Sequence, residues 1–326
     1  MGYKTTAGLM RHLRDTGITI SGSRQKRLLL NTGYFHGYKG YRFFKTSQRR
    51  LPFSSYDEIY ATIQYDTQLK SLFYSKIMFI ETAVKNVALE CILTEAKSEN
   101  IQSICNTIVS SYKNAPAGSS VEQKKKFQQS KLNLQNMIQS YLTRAYKEEN
   151  PKITHFYNNA SYADVPIWAL FEIITMGDFG FFLSCLTYTA RNSISEQLGF
   201  DISYDTYRQL IFKYIYALKD LRNAVAHNSV VFDTRFSGID PTRAMKCCLV
   251  QEIGLPFVNF KSIEDYVILM CYFLKMLKVP KGEIKAFIRE FEKIVDDYKN
   301  VVSPAIASIV VRSDLPARMG ILKNFI

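Results

Sequence analysis

One stretch of the chain carries side chains able to do acid–base and phosphate chemistry together: Leu218-Lys219-Asp220-Leu221-Arg222-Asn223-Ala224-Val225-Ala226-His227-Asn228. On a helix Asn223 and His227 are four apart and share a face, and the long Arg222 side chain can swing in from its flank. Ala224 and Ala226 keep the surroundings small, leaving room for a ligand or a second chain. An imidazole with a pKa of about 6.5 moves protons at neutral pH, and a permanently charged guanidinium holds a phosphate. Those are the two parts needed to cut RNA without a metal. The base takes the proton of a 2′-hydroxyl, and the cation stabilises the charged pentacoordinate phosphate. The same spacing fits a structural role, with Arg222 paired to Asp220 or the helix end and His227 capping the helix C-terminus as a cation. On spacing alone the structural role is the favoured one.

Other chemistry has few candidates. The chain has four histidines. His12 lies on a short exposed helix and His155 in a polar connection, both as surface residues. His36 sits in an aromatic, basic loop, placed to touch RNA. The patterns GxxxxGK[ST], GxGxxG, HExxH and GxSxG do not occur. Cys91, Cys105, Cys185, Cys247, Cys248 and Cys271 form no CxxC pair and no zinc-ligand spacing with histidine. No metal and no cofactor is therefore expected, and most of these thiols read as small hydrophobes in apolar stretches. The N-terminal stretch lacks the apolar core of a secretory signal, and no run approaches the ~20 apolar residues of a membrane span. The expectation is a reduced, cytoplasmic protein without a membrane partner, in which the sequon Asn159-Ala160-Ser161 is incidental.

Charge adds direction. The 326 residues hold 42 Lys and Arg against 29 Asp and Glu, a formal charge of +13, which suits a polyanion partner as well as it suits a merely basic surface. Between Asp15 and Asp57 there is no acidic residue, yet Arg24, Lys26, Arg27, Lys39, Arg42, Lys45, Arg49 and Arg50 fall there. Six aromatics interleave with them from Tyr34 to Phe44. Cations on phosphates and rings on unpaired bases would make this an RNA-binding segment. Aromatics packed into the core with solvated cations is the equal alternative.

The elements that must position these residues are helices. With 22 Phe and 21 Tyr but only 15 Gly and 9 Pro, the chain is neither disordered nor rich in tight turns. Short helices are predicted at 5–17, capped by Thr5 or Thr6 and ended by Gly17, and at 23–31, closed by Gly33. Turns with one short extended piece are predicted for 33–45. From 56 to 97 apolar residues recur at three- and four-residue steps without Gly or Pro, as in one long helix or two abutting ones. An exposed connection is expected at 98–120 and a polar helix at 121–147, where Lys124-Lys125-Lys126 reads as a solvated face. Two buried helices are expected in 165–186, containing Trp168 and broken at Gly177-Asp178-Phe179-Gly180. Further helices are expected at 191–198, 203–226, 262–278 and 281–299, with an irregular stretch before 262. The last pair is a hairpin about Pro280 and Gly282. The fold class is all-α.

Arg222-Asn223-Ala224-Val225-Ala226-His227 resembles the Arg-x4–6-His signature of HEPN domains, and the chain more narrowly resembles abortive-infection Abi proteins of the AbiD/AbiF type. Segments in the family's order carry this. Leu29 to Tyr41 resembles "N-x-x-Y-Y-R-L-S-G-Y". Tyr65 to Lys70 is similar to "Y-x-F-D-x-x-L-R", and Ile80 to Lys85 to "I-E-x-x-I-R". Pro166-Ile167-Trp168 with Met176-Gly177 resembles "P-x-W … S-F-G". Leu221 to Asn228 resembles "L-R-N-x-C-A-H-H-x-R-L-W-N". Departures are Asn228 for the second histidine, Lys85 for an arginine, and Val231-Phe232-Asp233 for "L-W-N".

The helical pattern gives a helical domain over 56–326 with a C-terminal hairpin, preceded by a basic segment over 1–55. The resemblance spans residues 29 to about 235, the remaining third matching no named pattern, and implies that the domain is an all-α HEPN-like bundle. It implies an antiphage abortive-infection protein that cleaves RNA without metal, some relatives being restrained by a small non-coding RNA. HEPN RNases build their site from two facing motifs. This chain holds one, because no other arginine stands five to seven residues before a histidine, so a homodimer with a composite site is expected. Within it His227 is base or acid, Arg222 the phosphate clamp and Asn223 an orienter, with Glu81 and Asn228 in supporting roles. A catalytically inactive RNA-binding or interaction module is the alternative, and a purely structural helical protein a further one.

Overall fold

The spacing of apolar residues along the chain yields helices almost throughout. The computed structural model describes residues 5–159, 161 and 164–326. Ala160, at the centre of the sequon, lies outside them. The elements in order are α1 (Thr6–Asp15), α2 (Gly22–Thr32), a π-helical turn (Tyr34–Lys39), α3 (Tyr56–Ala96), α4 (Ile101–Thr107), α5 (Val121–Lys147), α6 (Pro151–Asn158), α7 (Ile167–Phe171), α8 (Met176–Cys185) and α9 (Tyr188–Gln197). A 3-10 turn (Ile202–Tyr204) leads to α10 (Leu210–Ala226), followed by α11 (Arg243–Ile253), α12 (Ile263–Met276), α13 (Lys281–Val301), α14 (Pro304–Val310) and α15 (Leu315–Phe325). Among the described residues extended contacts are isolated bridges, such as Thr19 with Ser55 and Phe43 with Arg50. The fold is all-α.

Two compact units share the chain. One takes in the residues up to Met78, Asp220–Gly238 and Leu249–Ile326; the other takes in Phe79–Lys219 and Ile239–Cys248. The first is built around α12, whose residues from Ile263 to Leu274 are buried without interruption, as befits a helix apolar all round. Amphipathic α13 turns Ile284, Phe287, Ile288, Phe291, Ile294, Val295 and Tyr298 inward. Phe287 meets Phe73 of α3 edge-on at 6.3 Å and Tyr298 stacks on Tyr65 at 4.3 Å. A capping box starts α3, with Glu58 N–H donating to Ser55 Oγ and Ser55 N–H to Glu58 Oε2, each at 3.3 Å.

In the second unit α5 packs on α8 through a narrow stripe of Leu134, Ile138, Leu142 and Ala145. Gly180 lies inside α8 and does not break it. A Cβ there would stand 2.8 Å from the Tyr216 ring, so glycine lets α8 and α10 approach closely. The actual interruption falls at 172–175, before Thr175 caps α8. Trp168, expected in a buried segment, is 42% exposed and donates its indole N–H to Glu99 Oε2 at 3.1 Å.

Other expectations need correction. The 33–45 region is not only turns, since Tyr34–Lys39 winds as a π-helix. Within 98–120 Asn100 caps α4, which buries Ile104 and Cys105. Helix α10 begins at Leu210 rather than near 203, because Arg208 holds φ at +54°, a left-handed turn no helix passes through. Asp205 instead accepts the N–H groups of Gln209 and Leu210 at 2.9 and 2.7 Å. The stretch before 262 contains α11, and His155 lies on α6 rather than in a connection. Among the described residues no helix is long and apolar enough to cross a membrane.

Candidate functional site

The Arg222–His227 segment forms the last turn and exit of α10. Asn223 and His227 are both exposed, and His227 N–H donates to Asn223 O at 2.9 Å. The helix closes there because Asn228 takes φ of +52°, Ser229 N–H reaches Ala224 O at 2.8 Å and Asn228 N–H reaches Val225 O at 3.3 Å. That is a Schellman motif with asparagine, one of the few non-glycine residues at ease in the left-handed region. His227 thus occupies the capping position that the structural reading expected, while keeping its ring toward solvent. Arg222 is half-buried, its Nη1 lying 3.4 Å from Asn223 Oδ1.

The chain leaving α10 is fixed by two buried carboxylates. Asp66 of α3 is wholly buried. Its Oδ1 accepts the N–H groups of Val231 and Phe232 at 2.7 and 2.8 Å. Its Oδ2 accepts from Tyr41 Oη at 2.7 Å and pairs with Lys70 Nζ at 3.0 Å. Lys70, itself buried, spends a second proton on Asn228 Oδ1 at 2.6 Å. Burial and the adjoining Asp66 carboxylate push the Tyr41 hydroxyl far up, so it stays a donor. Asp233, also buried, accepts Lys45 N–H at 2.6 Å and Arg235 Nη2 at 2.6 Å. Arg235 in turn donates to Gly40 O and Phe43 O, both at 2.7 Å. The aromatic loop is therefore clamped to the exit of α10 from both sides.

Between them lies a cavity of about 830 Å³. Phe35, His36 and Gly37 of the π turn line it, with Thr67 and Lys70 of α3, Asp220 and Asn223 of α10, and His227, Asn228 and Arg235 beyond that helix. It joins the imidazoles of His36 and His227, the amides of Asn223 and Asn228, Lys70 and Arg235, with the Asp220 carboxylate among them, a set with donors for an anion and with imidazoles able to exchange protons with it. Arg222 does not line it. Among the described residues no group of three or more His, Cys, Asp or Glu is placed to hold a metal ion.

The basic segment divides. Arg24 pairs with Asp57 at 3.1 Å. Arg42 lies over Phe43 at 4.4 Å, and Arg49 and Lys45 over Phe44 at 4.9 and 5.3 Å. Lys45 also donates to Lys261 O, and burial pushes its ammonium down. Arg42, Lys45 and Arg49 thus lie against the aromatics of the loop, whereas the Arg24 pair is exposed on α2. Lys39 rides over Tyr34 and Phe35 at 5.6 Å, while Lys26, Arg27 and Arg50 stand exposed. The packing alternative holds for Tyr38, Tyr41 and Phe44, which are core, while Phe35 is exposed. Glu81, on the part of α3 in the second unit, pairs with Lys85 at 3.3 Å, and Lys85 donates to Ile174 O at 3.0 Å.

Sequence reasoning missed Asp66, Lys70, Asp233 and Arg235 as site residues. A signal existed: Tyr41, Asp66, Lys70 and Asp233 all fall within or beside the segments that carry the resemblance, which here meet around one cavity. A family model described as Abi-like protein matches residues 27–233, from α2 through the cavity-forming exit of α10. No curated protein and no solved structure matches the chain. Since that match spans well over half of the sequence, the chain belongs to the Abi-like protein family, the abortive-infection type of defence protein.

Proposed function

We propose that the protein is a metal-independent endoribonuclease of the HEPN kind, acting as a homodimer. The observation that carries this is the placement of Asn223 and His227 together on the wall of a polar cavity that also presents Lys70. In the proposed reaction His227 removes the 2′-hydroxyl proton. The 2′-oxygen attacks phosphorus, the bond to the 5′-oxygen breaks, and that oxygen leaves with a proton from an acid, giving a cyclic phosphate and a 5′-hydroxyl. Arg222, which lies off the cavity wall, is proposed to reach the pentacoordinate phosphate in the assembled site, Asn223 orients it, and the Lys70 ammonium on the cavity wall is a further donor to it that needs no metal. A second protomer brings the facing motif and the acid. A small non-coding RNA on the exposed cations Lys26, Arg27, Lys39 and Arg50 is the proposed restraint.

The test is cleavage of total RNA by the purified protein in EDTA, compared with His227→Ala and Arg222→Ala. Loss of cleavage in both variants, and relief of growth arrest on expression, supports the reading. Cleavage unaffected by His227→Ala refutes it. RNA binding without cleavage under any activation favours the inactive RNA-binding module.

A further inference from the structure

Of the six aromatics from Tyr34 to Phe44, three are buried, but Phe35 is 70% exposed. A single exposed phenylalanine is ordinary on a protein surface. Its setting here gives it a use. The ring edges the cavity that Asn223 and His227 line. The His36 ring stands 6.0 Å away, nearly perpendicular at 80°, and the Lys39 ammonium lies 5.6 Å from the centroid. Neither can the turn swing freely. Gly37 packs so closely on α2 that a Cβ would meet Thr32 Oγ1 at 3.0 Å, and Arg235 grips the carbonyls of Gly40 and Phe43 just beyond. An exposed ring on a clamped turn, with a cation over one face and a proton-transfer residue on the same cavity, matches one nucleotide of RNA: base on the ring's other face, phosphate on the cation.

We propose that Phe35 is the platform on which an unpaired base of the RNA stacks, so that the cavity takes single-stranded RNA and rejects duplex. The proposal rests on the RNA reading above and names the substrate feature that site selects. Inside a duplex both faces of each base are covered by neighbours, leaving Phe35 only the two terminal pairs to stack against, whereas phosphate contacts persist.

The experiment separates binding from cleavage by using the full-length His227→Ala protein as background. Binding of a short, unstructured fluorescein-labelled RNA, and of the same sequence as a blunt duplex, is measured at fixed salt for Phe35, Phe35→Ala, Phe35→Leu and Phe35→Trp. Phe35→Ala and Phe35→Leu are expected to weaken single-strand binding roughly ten- to hundredfold, with duplex affinity and melting temperature unchanged. Phe35→Trp is expected to retain affinity, with indole fluorescence quenched by single-stranded RNA only. Single-strand affinity within about twofold in Phe35→Ala, an equal loss for duplex, or no RNA binding by any of the proteins overturns the proposal. If the parent fails to cleave but this pattern holds, the nuclease reading falls and the platform stands.

Discussion

Replacing Asp66 by alanine should unfold the architecture around the cavity more effectively than any change within it. The substitution removes the acceptor of four donors at once: the Val231 and Phe232 N–H groups, Tyr41 Oη and Lys70 Nζ, all within 2.7–3.0 Å. Lys70 would remain buried with Asn228 Oδ1 as its hydrogen-bond acceptor. Breaking a buried ion pair by deleting one partner costs about 3–5 kcal/mol, and each donor left buried without an acceptor about 1–3 kcal/mol. These costs overlap, so about 4 kcal/mol is the expected loss, about 6 °C in Tm for a chain of 326 residues. Urea unfolding followed by far-UV ellipticity, with Trp168 fluorescence recorded alongside, measures it. The Lys70→Met protein and the double variant complete a cycle. Methionine removes the stranded charge, so the double variant should lose less than the sum of the singles by more than about 1.5 kcal/mol. A loss below about 1 kcal/mol for Asp66→Ala at unchanged m-value, or strict additivity, would refute the claim that this carboxylate holds the site together.

Three further outcomes follow from the same coordinates. At Asn228, with φ of +52°, Asn228→Val should cost about 1–2 kcal/mol more than Asn228→Gly in chemical denaturation, because only the β-branched side chain adds left-handed strain to the lost Lys70 contact. Glu264 is buried, and burial raises its carboxyl above the ordinary value of 4.5. The folded protein then binds that proton more tightly than the unfolded one, and stability falls as pH rises from about 4.5 through the raised value. Glu264→Gln should accordingly be the more stable protein at pH 8, with the gap closing toward pH 5 in thermal melts, and a gap independent of pH would count against it. Five of the six thiols are buried and Cys247 is half-exposed. Burial pushes Cys105 up to about 11 and Cys185 up to about 12. At pH 8 a thiol reagent should label the native protein fast at Cys247 alone, fast labelling should vanish in Cys247→Ser, and all six should react in denaturant.

The long helices were legible because nothing competes with their periodicity. Helix α3 repeats apolar residues for 41 residues without a breaker, and α13 shows the same stripe. The short ones carried a signal too faint to separate from loop. Ile101, Ile104, Cys105 and Ile108 do stand at helical steps, as do Met245, Cys248, Leu249 and Ile253, but each set spans only about two turns, and polar caps surround them. The kink before α10 was hidden because Arg208 is not a residue type that announces a left-handed turn. At the candidate site Asn223 and His227 could be read as one face, since their pairing is local. The carboxylate contacts could not. Asp66 meets backbone 165 residues away, and Arg235 meets Gly40 across 195. Such pairings leave no periodic trace in one sequence.

The departure at position 228 acquires a meaning from this geometry. The resembling pattern has a second histidine there, and this chain has an amide whose backbone is left-handed and whose Oδ1 is engaged by Lys70. An amide has no proton to exchange at neutral pH, so Asn228 serves to close α10 and to aim Lys70 at the cavity. On the proposed reading each motif then contributes a single imidazole, His227, while cleavage of a phosphodiester through its 2′-hydroxyl needs both a base and an acid. His36 stands on the same cavity as a second imidazole of the chain, and in the proposed dimer the partner's His227 is the group that supplies the acid with no new residue type. On this reading the acid must therefore come from outside the motif, and a dimer whose Asn228→His variant cleaves no faster while a His36→Ala variant keeps its rate would leave the partner's His227 as that acid.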